Sequence, residues 1–140
     1  MVSFTIASQQ PRQVIDLTDA VRNALPDDGE GVAVVWVRHT TAALTTADLD
    51  PGTDLDLLDF LAAITPQRSW RHPHDPAHAP DHLLASLIGS SLSVPFAAGE
   101  LVVGSWQRLV LVELAGPRER QVSVSLLAVR EFAVDEDDDE

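Results

Sequence analysis

Leu101 to Leu114 reads LVVGSWQRLVLVEL. Runs of Leu and Val with one Trp favour extended chain, and Gly104-Ser105 interrupts them where a bulge or the close approach of a ligand would be natural. Counted by twos, Gln107, Leu109, Leu111 and Glu113 share one face, and Trp106, Arg108, Val110 and Val112 share the other. Glu113 is then an acid at the end of an apolar strand, and burying it requires a cation or a metal as partner. Gly116-Pro117 turns the chain, and Arg120 to Val129 returns as a strand with Val122, Val124 and Leu126 inward, which predicts an antiparallel sheet for the final third. Arg118 and Arg120 flank that turn. Two guanidinium groups beside a glycine turn suit a phosphate or carboxylate clamp, and equally suit pairing with Glu113 or Glu119.

Upstream, Leu92 to Phe96 is a short strand whose Pro95 suggests an edge or a strand end. Gly31 to His39, GVAVVWVRH, is nearly continuous Val and Ala, the pattern of a central strand covered on both faces. His39 shares a face with Val35 and Val37 and is expected partly buried at the strand end, followed by Thr40 and Thr41; it reads either as a structural histidine or as a ligand. Val2 to Ser8 alternates with Val2, Phe4 and Ile6 on one face. Three short helices are expected. The first runs from Asp16 or Thr18 through Leu25, with Leu17, Val21, Ala24 and Leu25 as its stripe. The second covers Asp54 to Ile64, capped by Thr53 and carrying Leu57, Leu58, Leu61 and Ile64 at helical spacing. The third runs from Asp81 or His82 to Ile88, stopped by Gly89.

Trp70 to Ile88, WRHPHDPAHAPDHLLASLI, holds four of the five histidines: His72, His74, His78 and His82. Imidazole titrates near neutrality and is the commonest zinc ligand, so the clustering marks a candidate site. Pro73, Pro76 and Pro80 exclude one continuous helix through all four. His82, in the first turn of a helix, feels the positive end of the dipole, which favours the neutral, ligating form. It is the strongest ligand candidate, whereas His74 and His78 read as loop surface.

With 140 residues the chain is expected to form one domain over residues 1–134, and the six consecutive acids Asp135 to Glu140 read as a disordered, solubilising tail. That tail supplies six of the net −13 charges. Nine Lys and Arg with no basic stripe argue against nucleic acid as a partner. There is no cysteine, so any metal must be held by His, Asp, Glu, carbonyl or water. No segment reads as a signal peptide or a membrane span, and the expected location is the cytoplasm. Asp48, Asp50, Asp54, Asp56 and Asp59 lack the glycine and closing glutamate of a calcium loop and read as caps and a solvated helix face.

The combination of RHTTAALT (Arg38 to Thr45), the spaced histidines His72 and His82, GSWQ (Gly104 to Gln107) and E-x-x-GPR-x-R (Glu113 to Arg120) resembles the YjbQ-like family of secondary thiamine-phosphate synthase enzymes, over about Phe4 to Val129. The resemblance implies an α+β domain of packed, largely antiparallel β-sheet with two to three short helices, associating as a homotrimer. It implies a weak transferase activity joining a pyrimidine pyrophosphate to a thiazole phosphate with release of pyrophosphate, and hence a small phosphorylated partner. His39, Glu113, Arg118 and Arg120 are the expected catalytic residues, and Thr40, Thr41, Trp106 and Gln107 the expected substrate-binding ones. A divalent metal, zinc-like or magnesium, is expected on His39, His72 and His82. The chain departs from the family pattern at Ala47-Asp48, where an Asn-Glu pair is usual, and at Ala77-His78, where an Asp-Asn pair is usual; His78 could serve as a replacement ligand. Two other readings stand beside the transferase: a hydrolase using water on a His-bound metal, and a non-catalytic metal- or metabolite-binding trimer.

Overall fold

The computed structural model describes residues 1–130, so the acidic segment Asp135 to Glu140 and the expected domain boundary at residue 134 lie outside the described residues. Eight strands and three α-helices follow in the order β1 (Val2–Ala7), β2 (Gln13–Asp16), α1 (Thr18–Arg22), β3 (Glu30–Val37), β4 (Ala42–Ala47), α2 (Thr53–Ala63), α3 (Ala79–Ile88), β5 (Ser91–Ala97), β6 (Glu100–Leu101), β7 (Arg108–Glu113) and β8 (Glu119–Ala128). A single 3-10 turn, Pro76–His78, precedes α3. The strands form two antiparallel sheets, one of five strands ordered β1-β8-β3-β5-β6 and one of three ordered β2-β7-β4. This is the expected α+β architecture. Among the described residues no helix is long and apolar enough to cross a membrane.

The Leu101–Leu114 run is not one bulged strand. Its first residue ends β6 in the large sheet, the chain crosses at Gly104-Ser105, and Arg108 onward enters the small sheet as its middle strand. The reason lies in burial. Leu109 and Leu111 enter the core between the two sheets, with Val35, Val37, Leu44, Val122 and Val124. Val110 and Val112 point the other way, into a second core with Leu61, Leu84 and Leu114 under α2 and α3. All four are essentially fully buried. At ~1.5–3 kcal/mol for each buried aliphatic side chain, β7 is stabilised on both faces.

That double coverage was expected of β3, and the structure corrects it. Ala33, Val35 and Val37 face the core, but the opposite face is the outer surface of the large sheet, where Trp36 is 46% exposed. Leu126, expected inward on β8, lies near the strand's end and is 40% exposed. Two strands were absent from the sequence reading, β2 and β4, and both are partners of β7. α1 covers less than expected, ending at Arg22, although Leu17 and Val21 are buried as the stripe requires. The residue before α2 is Gly52 at φ +92°, and Thr53 is already helical, so the expected threonine cap is not formed. α3 begins at Ala79 with Pro80 in its first turn, where proline's missing N–H costs nothing.

Candidate functional site

β7 ends at Glu113 and β8 begins at Glu119, and the turn between them packs on residues 8–11, just past β1. Gly116 is required there by contact: a Cβ would stand 2.2 Å from the Gln10 carbonyl oxygen and 2.8 Å from Ser8 Oγ. With the turn pressed down, Glu113 and Arg120 meet in the interior, both with no exposed surface. Arg120 Nε donates to Glu113 Oε1 at 2.9 Å and Oε2 at 3.1 Å, and Nη2 donates to Oε2 as well. Ser8 Oγ donates to Oε1 at 2.6 Å, and the backbone N–H groups of Leu114 and Ala115 donate to Oε2. Burial pushes the Glu113 carboxyl up, but the hydrogen bonds from Arg120, Ser8 and Ala115 outweigh it and hold it below the usual carboxyl range.

Arg120 Nη2 also donates to the Thr41 carbonyl at 3.0 Å and to Thr41 Oγ1 at 2.9 Å. Its third donor nitrogen, Nη1, is buried and has no partner. Arg120 is also among the residues lining a cleft of about 440 Å³, with Trp36, Val37, Arg38, His39, Thr40, Thr41, Ser90 and Arg118. Neither Arg38 nor Arg118 forms an ion pair among the described residues. Three guanidinium groups against one carboxylate make this cleft positive in a chain of net charge −13.

His39 lies just past the end of β3, half-buried. The backbone N–H of Gln121 donates to its Nε2 at 2.9 Å. Burial, then the charges of Arg120 and Arg118, lower its pKa, and Glu113 opposes them weakly. Thr40 Oγ1 stands 3.1 Å from His82 Nδ1, which ties the cleft's rim to α3. His82 stacks on His72 with ring centroids 4.7 Å apart and planes inclined by 20°. His74 and His78 are exposed, the latter 3.2 Å from Asp75, as expected of loop surface.

The expected metal set does not fit this arrangement. A metal ligated by imidazole lies in the ring plane about 2 Å from nitrogen. Two nearly parallel rings have no common point at that range, so His72 and His82 as stacked cannot share an ion. His39 Nε2 is already an acceptor for Gln121. Among the described residues no three His, Asp or Glu side chains are grouped to hold a metal.

The remaining expected residues divide by position. His39, Thr40, Thr41, Arg118 and Arg120 share the cleft, and Glu113 lies behind Arg120. Trp106 and Gln107 do not surround it. They sit before β7, beyond the end opposite Glu113 of a strand that spans ~17 Å. Trp106 is 72% exposed, and Gln107 ties its loop together by accepting from the Gly104 N–H and donating to Thr46 Oγ1. That loop and Asp48 line separate clefts. Sequence reasoning missed Ser8, Arg38 and Ser90. Arg38 alone carried a signal, its place beside His39 at a strand end.

The family described as UPF0047 protein YjbQ-like matches residues 2–129. A UPF0047 protein of Archaeoglobus fulgidus is 33% identical over 127 residues, covering 90% of this chain and all of its own. UPF0047 protein YugU of Bacillus subtilis is 30% identical, covering 89% of this chain and 97% of its own. Among solved structures, a hypothetical protein of Aeropyrum pernix K1 superposes with TM-score 0.83 at 35% identity, over 91% of this chain and 98% of that one. An uncharacterized conserved protein of the yjbq/upf0047 family from Clostridium acetobutylicum superposes with TM-score 0.82 at 32% identity, over 91% of this chain and all of that one.

Proposed function

The chain belongs to the UPF0047 YjbQ-like family, and we propose that it binds a phosphorylated small molecule in the Arg118–Arg120 cleft and acts on it as a thiamine-phosphate synthase-like transferase. The observation that carries this reading is a cleft lined by three arginines, Arg38, Arg118 and Arg120, the last of which has a buried, unpartnered Nη1 group. A buried guanidinium donor without a partner is costly, and an anionic oxygen is the acceptor that relieves it best. The cleft's size suits a metabolite rather than a polymer.

The proposed reaction breaks the bond between a pyrimidine's carbon substituent and pyrophosphate, while the thiazole nitrogen forms the new bond to that carbon. Negative charge gathers on the departing oxygens. In this reading Arg118 and Arg120, both lining the cleft with Thr40 and Thr41, would donate to those oxygens, Arg120 from a plane held by Glu113. Glu113 holds the Arg120 guanidinium plane and does not reach the ligand. The hydrolase reading needs imidazoles converging on one ion, and the stacked pair lends it no support. We extend the proposal to a homotrimer, supported by apolar side chains that one chain leaves exposed, including Trp36, Phe60 and Leu87; sedimentation should then give three times the 15.1 kDa chain mass.

Calorimetric titration with inorganic pyrophosphate tests the cleft. Arg118→Ala, at an exposed position, should weaken binding about tenfold, and Arg120→Lys, which keeps the charge and loses the fork, by at least as much. Unchanged affinity in both would sink the reading. Turnover is tested by pyrophosphate release: release only when the pyrimidine pyrophosphate and thiazole phosphate are both present supports transfer, whereas release from the first alone identifies a hydrolase.

A further inference from the structure

Resting on the anion-cleft reading, we propose that His39 is neither metal ligand nor base but a fixed neutral donor, its Nε2 held by the Gln121 backbone N–H and its Nδ1–H offered to the bound anion. A backbone N–H can only donate, so the nitrogen it meets at 2.9 Å carries a lone pair and no proton. Neutral imidazole has one ring proton, which must then sit on Nδ1. Both nitrogens are thereby committed, one as acceptor to the protein and one as donor.

The fold explains why this tautomer is fixed. The β3–β8 ladder ends at the pair Val37–Val122. The next residue of β8, Gln121, turns its N–H toward the side where β3 has stopped, and the His39 ring takes the place of the strand carbonyl that would otherwise accept it. The other nitrogen, Nδ1, has no hydrogen-bond partner among the described residues and is not enclosed, while the ring itself lines the cleft. Arg120 on β8, Arg118 in the turn and Arg38 beside it all disfavour a further positive charge here, with Glu113 the one acid that opposes them. A neutral N–H gives a bound phosphate a directed hydrogen bond without adding a fourth cation to the cleft.

Two measurements test the assignment. Long-range 15N–1H correlation spectra of imidazole-labelled protein, with the His39 signals identified by their loss in a His39→Ala variant, should show Nδ1 protonated and Nε2 bare. The pattern should persist from pH 8 to pH 6.5, and the Nδ1 signal should move on addition of inorganic pyrophosphate. An Nε2-protonated ring or an imidazolium at pH 7 overturns the proposal. In the second measurement, His39→Asn places an amide N–H near the Nδ1 position and should bind pyrophosphate within about threefold of the unaltered chain, while His39→Ala should bind about tenfold more weakly. Equal loss in both variants also overturns it. The two readings fail separately: pyrophosphate affinity indifferent to Arg118 and Arg120 removes the anion cleft, whereas dependence on those arginines with a protonated Nε2 removes only the role given to His39.

Discussion

Among the described residues Arg120 is the largest side chain with no exposed surface, and its hydrogen bonds to Glu113 and Thr41 hold it there. Its charge is tolerable because Glu113 meets it in the plane of the guanidinium and because Ser8, Leu114 and Ala115 complete the carboxylate. Glu113→Gln leaves the cation buried without its counter-ion and should cost about 3–5 kcal/mol, read as a lowered midpoint in urea denaturation. Two pH effects follow from the same neighbourhood. The Glu113 carboxyl has its folded pKa below its ordinary value of 4.5, so its contribution is complete above that value and is lost as pH falls through it toward the folded pKa. His39 is also depressed, from 6.5, so the unfolded chain takes up its proton first and stability declines as pH drops below about 6.5. In His39→Asn the decline between pH 6.5 and 5 should be shallower, as measured by denaturation at a series of pH values.

At the scale of elements, the β7–β8 turn decides whether the arginines reach the cleft. Gly116→Ala forces a side-chain carbon against the Gln10 carbonyl, a backbone atom that cannot step aside, and should destabilise the fold by about 3 kcal/mol while weakening pyrophosphate binding through the displaced Arg118. β1, β3, β7 and β8 were legible in sequence because each pairs β-branched or aliphatic runs with a clear turn signal. β2 and β4 were not. QVID is only four residues long and AALTTA is rich in alanine, and both are strands because β7 offers a pairing edge on either side, a tertiary reason that local propensity does not contain. The crossing at Gly104-Ser105 was visible as a break but not as a change of sheet, since that depends on which distant strand each half pairs with. Within the site, the Glu113–Arg120 pair was one of two readings of the turn, whereas Ser8 stands 105 residues from the carboxylate it serves and left no signal. Of the spaced histidines, His72 and His82 do come together, stacked ring on ring, a geometry that spacing does not contain.

At the scale of the whole molecule, two cores share one strand, the large sheet has one uncovered face, and the first strand of the chain is zipped to the last. This closure has a consequence in time rather than in space. On the ribosome, β1 emerges before β8, the strand it pairs with, so it carries an unpaired edge while the residues between them are made. Ser8, Glu113 and Arg120 cannot assemble before β8 is made, and the cleft that Arg120 lines waits on the same strand. A chain stalled at residue 118 should therefore remain open to protease in a pulse-digestion assay, and the same chain extended through Ala128 and a tunnel-length linker should become resistant in a single step.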